Sequence, residues 1–216
     1  MLIELRWHSR GGLGALTSAR VLAEAVWEFG YWAQAFPEYG PERAGAPMMC
    51  YDRLSTQKIS LHCGIYEPAI VAVLDPALLA TIPVTEGLKP SGILVVNTDT
   101  PAPQVVQCLG LQIQATRSRG HRIITLDATA IAQTCQCFKE NRPMPNSPIL
   151  GALLELLARV HYLRFFTVRG LRRGGAAIFT CRLPMFTWPM CSSTFARLRS
   201  RKALRLRKNI RLSRSS

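Results

Sequence analysis

The chain predicts an α/β domain, three-layered and Rossmann-like around a mainly parallel sheet, followed by a basic C-terminal extension. Three observations predict it. Apolar, β-branched runs such as residues 69–74 and 93–96 lack polar alternation, the mark of strands covered on both faces. Helix-start residues follow such runs, as in Asp75-Pro76 and Asp127, so strands alternate with helices. A glycine bend, Gly11-Gly12-Leu13-Gly14, joins the first strand to an amphipathic helix.

Leu2, Ile3, Leu5 and Trp7 mark the first strand. Ala15, Ala19, Leu22, Val26 and Phe29 then form one apolar helical stripe, and Gly30 is its stop. Residues 31–36 read as a second strand. The following Ala35–Pro47 stretch packs three prolines and two glycines around Glu38, Glu42 and Arg43, which excludes a regular element. Its aromatics, Phe36 and Tyr39, predict an ordered functional loop, with an ordinary connector as the alternative. Residues 48–54 and 59–61 read as a hairpin turning at residues 55–58. The run at 69–74 is a buried strand, and Pro76 starts a short helix. Strands at 93–97 and 123–126 repeat that grammar, Asp127 serving as N-cap of a helix over 128–137. Asn146-Ser147-Pro148 opens an apolar helix that runs through Leu157.

At 216 residues the chain is long enough for one well-buried domain plus an extension. Its net charge of +14 is not spread evenly: residues 1–160 hold 13 basic and 13 acidic side chains, whereas residues 161–216 hold 14 basic and no acidic ones. The domain is therefore assigned to residues 1–160 and a basic tail, disordered or misread, to residues 161–216. Two explanations of the tail stand: a reading-frame shift near Val160 that leaves a spurious end, or an arm that binds nucleic acid or an anionic surface through phosphate contacts. The seven cysteines form no C-x-x-C pair, which argues against a zinc or iron–sulfur site in this chain and suits a reducing, cytoplasmic compartment. The charged start, residues 1–6, does not fit a signal peptide, and no apolar run approaches the ~20 residues of a membrane span.

The glycine bend nearly matches G-x-G-x-x-G, but Thr17 stands at the third glycine and no acid closes the second strand, so a stand-alone dinucleotide-binding protein is the weaker reading. A helix opening at such a bend turns free N–H groups and the positive end of its dipole toward one point, where an anion is favoured. Arg10 adds a forked cation there. The plainer alternative is a tight turn whose glycines only permit close packing. His8 is assigned a structural role because no acid–base partner can be named for it, and Asp75 is as readily a helix cap as a ligand.

Taken together, Trp7–Gly14, Gln34–Pro47 and Asn146–Leu153 resemble the gamma subunit of pyruvate and other 2-oxoacid:ferredoxin oxidoreductases, over about residues 1–160. Where that family usually carries a glutamine after its glycine pair, this chain has Leu13. The resemblance implies a heteromeric enzyme that decarboxylates a 2-oxoacid on thiamine diphosphate, passes electrons through iron–sulfur clusters to ferredoxin or flavodoxin, and releases an acyl-CoA. It places thiamine diphosphate and the clusters in partner subunits (alpha, beta and a ferredoxin-like delta), with coenzyme A as co-substrate and no catalytic residue in this chain. Within it, Arg10, Gly11, Gly12, Gly14 and Arg43 are expected to face an anionic group, either a phosphate or a partner's carboxylate. Glu38 and Glu42 are expected to orient the loop by ion pairs.

Overall fold

The structure, a computed structural model, describes residues 1–38, 45–109 and 120–159. Glu42, Arg43 and the expected basic tail at 161–216 lie outside those residues. The main sheet has six strands in the order β2-β3-β1-β4-β5-β6. These are β1 (Leu2–Arg10), β2 (Trp32–Pro37), β3 (Pro47–Ser55), β4 (Ile70–Val73), β5 (Ile93–Asn97) and β6 (Arg122–Leu126). Strands β1, β4, β5 and β6 run parallel, while β3 is antiparallel to both β1 and β2. The helices are α1 (Ala15–Glu28), α2 (Leu78–Thr81), α3 (Ala102–Cys108), α4 (Ala128–Thr134) and α5 (Asn146–Arg159), and a small ribbon pairs β7 (Phe138–Lys139) with β8 (Arg142–Pro143).

The α/β reading therefore holds, with three departures. The first strand runs on to Arg10, so Arg10 is a strand residue and not part of the bend. The expected hairpin does not form: β3 already has β1 on one edge and β2 on the other, which leaves residues 59–61 no edge to pair with. Phe29 falls just past the last turn of α1 and is 49% exposed, while Ala15, Ala19, Leu22 and Val26 of the same stripe are buried. Gly30 ends that helix as expected, with φ +82° and its N–H donating to Trp27 O at 2.8 Å. Asp127 caps α4, its Oδ1 accepting from Ala130 N at 2.8 Å.

Side chains alternate across β1, which makes it the divide of the molecule. Ile3, Leu5 and Trp7 enter a core shared with Leu22 and Val26 of α1 and Leu153 of α5. On the other face, Val71 and Val73 of β4 and Leu94 and Val96 of β5 pack beneath α2 and α3. Across β1 and β3 that second face is polar: the pairing register sets Glu4 beside Arg53, Arg6 beside Tyr51 and His8 beside Met49. Loops cover it. Arg6 Nη2 donates to Val84 O at 3.1 Å and Glu86 O at 2.5 Å, and Arg53 donates to Glu4 and to Gly64 O, each at 3.1 Å.

One carboxyl breaks the apolar side. Asp52 is fully buried beside Trp7, whose Nε1 donates to Oδ2 at 2.6 Å, and among the described residues Oδ1 has no partner. Burial pushes this carboxyl well above its ordinary 3.8, against the opposing pull of the Trp7 hydrogen bond. The folded chain thus holds a proton that the unfolded chain releases once the pH passes about 3.8, so Asp52 costs stability as pH rises from there. Asp52→Asn is expected to flatten that dependence: relative to the parent it gains stability between pH 4 and pH 8, and the gain fades below pH 4. Urea midpoints across that range check it, and a difference independent of pH overturns it.

Candidate functional site

Three segments that the sequence sets apart meet at one corner, beyond the C-terminal end of β1. The glycine bend touches the end of the proline-framed loop through Gly11 N–H, which donates to Ala46 O at 3.0 Å. It touches the start of α5 through Asn146 Nδ2, which donates to Gly14 O at 3.3 Å. Ser18 Oγ, one turn into α1, donates to Asn146 O at 3.2 Å. Helices α1 and α5 therefore begin side by side, and both turn the positive ends of their dipoles toward this corner.

Two of the bend's three glycines do different work. Gly14 has φ +79°, and a Cβ on it would lie 2.7 Å from Asn146 Nδ2, so both backbone and packing demand glycine. Gly12 also has a left-handed φ, +98°, yet a Cβ there would meet nothing within 4 Å. The bend is thus a packing device at Gly14 and open at Gly12. Gly14 itself is the N-cap of α1 and no side chain caps that end, so the first-turn amides keep their donors for another acceptor.

Arg10 is engaged. Its Nε is hydrogen-bonded to the Asp75 carboxylate and its Nη1 donates to Gly45 O at 3.1 Å. Asp75 in turn accepts from Ala77 N at 3.0 Å, two residues on, so it holds the turn before α2 as well as the arginine. The arginine braces the far end of the loop against β4. At the near end, Glu38 N–H donates to Met49 O at 3.0 Å, and the Glu38 carboxylate accepts from the Tyr51 hydroxyl. Burial first, then that hydrogen bond, raises Tyr51 above its ordinary range. Among the described residues, Glu38 is thus held by the Tyr51 hydroxyl.

Beside this corner the even face of β1 carries Arg6 and His8, both buried. Arg6 Nε donates to His8 Nε2 at 3.0 Å. Burial, aided by the Arg6 charge, lowers the imidazole to about 3, so it stays neutral at ordinary pH. Sequence reasoning names Arg10 but misses Arg6, Arg53 and Tyr51. The signal is present in Glu4, Arg6, His8 and Arg10, a polar residue at every second position of an apolar strand.

So the structure brings Arg10, Gly11, Gly12 and Gly14 together and sets Glu38 at the same end of the sheet. Among the described residues no group of three or more His, Cys, Asp or Glu could hold a metal ion. Of their cysteines, Cys50 is buried, Cys63 and Cys108 are exposed, and Cys135 and Cys137 are half-buried. No described helix is long and apolar enough to cross a membrane.

Residues 4–183 match the model of the family described as pyruvate ferredoxin/flavodoxin oxidoreductase. The chain is 41% identical over 154 residues to the pyruvate/ketoisovalerate oxidoreductases common subunit gamma of Pyrococcus abyssi, which covers 71% of this chain and 77% of that one. It is 43% identical over 151 residues to the pyruvate synthase subunit PorC of Methanocaldococcus jannaschii, covering 70% and 75%. The crystal structure of the pyruvate oxidoreductase subunit PORC from Thermotoga maritima superposes with a TM-score of 0.58 at 36% identity, covering 76% of this chain and 86% of that chain.

If the corner is built as described, Gly14→Ala must strain the backbone and push Asn146 away. A left-handed φ alone costs a non-glycine residue roughly 1–2 kcal/mol. Denaturant unfolding is expected to show a loss of at least that size, with Gly12→Ala losing less because no contact is broken. Equal losses at the two positions overturn the packing role.

Proposed function

We propose, from the premise that this chain belongs to the pyruvate ferredoxin/flavodoxin oxidoreductase family, that it is a gamma-type subunit of a 2-oxoacid:ferredoxin oxidoreductase, acting on pyruvate. The assembly decarboxylates the oxoacid oxidatively, passes the electrons to ferredoxin or flavodoxin, and releases acyl-CoA. This subunit is not catalytic alone: it shapes the approach to the site and helps hold the complex together. Thiamine diphosphate and the iron–sulfur clusters belong to the alpha, beta and ferredoxin-like delta partners. A cluster needs several closely placed thiolates, and the described cysteines form no such group. The work is cytoplasmic, away from membrane and nucleic acid.

The observation that carries the reading is the convergence of the glycine bend, the proline-framed loop and the start of α5, joined by the Gly11–Ala46 and Gly14–Asn146 hydrogen bonds. The corner supplies uncapped amides at the head of α1, an open face at Gly12 and two helix dipoles. These suit an anionic group, a phosphate of coenzyme A or a partner's carboxylate. In this reading Arg10 positions the loop through Asp75 and Gly45, Gly11 ties the bend to Ala46 O, and the open Gly12 face with the first-turn amides that follow Gly14 meets the anion. Glu38 anchors the loop's start, and Glu42 and Arg43, outside the described residues, keep in this reading the roles expected from the sequence.

The decisive experiment is purification of the tagged full chain from its own cells. Co-purifying polypeptides that carry thiamine diphosphate and iron–sulfur clusters, with pyruvate- and CoA-dependent reduction of ferredoxin, are expected. A chain that purifies alone and binds NAD or a flavin overturns the proposal. In the complex, Arg10→Ala is expected to raise the half-saturating CoA concentration about tenfold, the scale of one lost charge-assisted bond. Unchanged kinetics and unchanged complex formation overturn the role of Arg10.

A further inference from the structure

The proposed function leaves one end of the molecule and one stretch of sequence without work. Helices α1 and α5 begin together at the corner, pack side by side on the same face of the sheet, and are each 14 residues long. They therefore end together, away from the corner. Strands β1 and β2 begin at that far end, because Leu2 and Trp32 both pair with Ser55.

The far end exposes aromatic side chains. Trp27 is 56% exposed, Phe29 49% and Trp32 38%, and the rings of Trp27 and Trp32 meet edge to face with centroids 5.4 Å apart. Exposed aromatics grouped in this way are the mark of a surface that another polypeptide covers. Its charge is acidic. Glu24 lies three residues before Trp27, which sets the two side by side on the helix, and Glu28 follows it; both acids are exposed. Glu28 sits at the negative end of the α1 dipole, and the last turn of α1 holds no base to offset it. Among the described residues no ion pair engages either glutamate. An acidic, aromatic surface fits a cationic segment, because carboxylates pair with its charges and indole faces stack on guanidinium groups.

The chain carries such a segment itself. Of the 18 residues 197–214, nine are Arg or Lys and none is acidic, and Leu198, Leu204, Leu206 and Ile210 are interleaved with them. Its tether starts where α5 ends, at Arg159, so the segment meets this end of the domain as an intramolecular ligand. Residues 160–196, at roughly 3.3 Å per extended residue, give it ample reach. We propose that the surface formed by Glu24, Trp27, Glu28, Phe29 and Trp32 is the docking site of this chain's own basic segment, residues 197–214. The two glutamates pair with its cations, and the aromatic rings take its guanidinium planes and leucines. The inference is independent of the anion reading of the corner, which lies at the other end of both helices.

The test uses the full chain, alone and in its purified complex. An equal mixture of unlabelled and 15N-labelled chain is treated with a carbodiimide, which joins a carboxylate to an amine touching it. The amines of the segment are Lys202 and Lys208. Peptides linking either lysine to Glu24 or Glu28 are expected, both halves carrying the same isotope. Their yield is expected to fall about threefold or more when salt rises from about 50 mM to about 500 mM, as the charges are screened. Trp27→Ala combined with Trp32→Ala, folded by circular dichroism, is expected to lower the yield about threefold or more at low salt, the scale of one lost cation–π contact. No link to Glu24 or Glu28, or an equal yield at Asp99, exposed past the opposite end of β5, overturns the proposal. So does an unchanged yield in the tryptophan variant, which leaves only unspecific attraction. Peptides of mixed isotope give the surface to a second copy, and links to another subunit in the complex give it to that partner; either result overturns docking of the chain's own segment.

Discussion

The register of β1 between β3 and β4 is the constraint on which the rest depends. Ile3, Leu5 and Trp7 of this strand face α1 and α5, and Glu4, Arg6, His8 and Arg10 point to the other face. Because side chains alternate with a period of two, a slip of one residue would drive two arginines into the helix-covered core and turn Trp7 out. The slip is forbidden from both edges at once: nine residues pair with β3 and four with β4. The same register delivers Arg10 to Asp75 and Gly11 to Ala46, so the corner's geometry is a consequence of strand pairing and needs no separate organising element.

Much of this is legible from the chain, and what is not has a physical cause. The strands at 70–73 and 93–97 announce themselves because burial on both faces demands apolar runs, and the Asp127 cap and Gly30 stop depend only on local backbone chemistry. The fate of β3 is not legible. Its own residues, 47–55, state that they form a strand but not which partners they choose. A local hairpin is the default reading when one true partner, β1, lies upstream across a whole helix and a long loop. Phe29 escapes for a similar reason, since helical spacing cannot tell a residue in the last turn from one just past it.

The site shows the limits more sharply. Glycine content, proline framing and the Asn146-Ser147-Pro148 start each mark a segment, yet only tertiary structure joins them, through hydrogen bonds between residues 35 and 132 positions apart. Charge is misleading for a related reason. An arginine beside a glycine bend reads as a free cation, but whether it is free depends on Asp75, which lies 65 residues away and arrives only because β4 runs parallel to β1. Asn97 is another instance. At the end of β5 its amide donates to Leu74 O at 2.8 Å and accepts from Ala128 N at 2.9 Å, tying two strands and α4 together. Nothing in its neighbourhood along the chain distinguishes it from an ordinary turn residue.

In the proposed anion reading, the corner's donors are the first-turn amides of α1, which do not titrate, beside an Arg10 paired with Asp75. Next to them His8 stays neutral because burial and Arg6 hold its imidazole at about 3. In that proposed reading the ligand is met without a change of protonation. The ordering cost has already been met in folding: the loop ends are bound to β1 and β3, and α1 and α5 share one starting point. Preorganisation of that sort raises affinity by sparing the ligand the entropy of assembling its own site. It also explains why the even face of β1 is polar beneath loops. The face that carries Arg6 cannot be sealed by an apolar helix, because the guanidinium needs the Val84 and Glu86 carbonyls that irregular backbone leaves free.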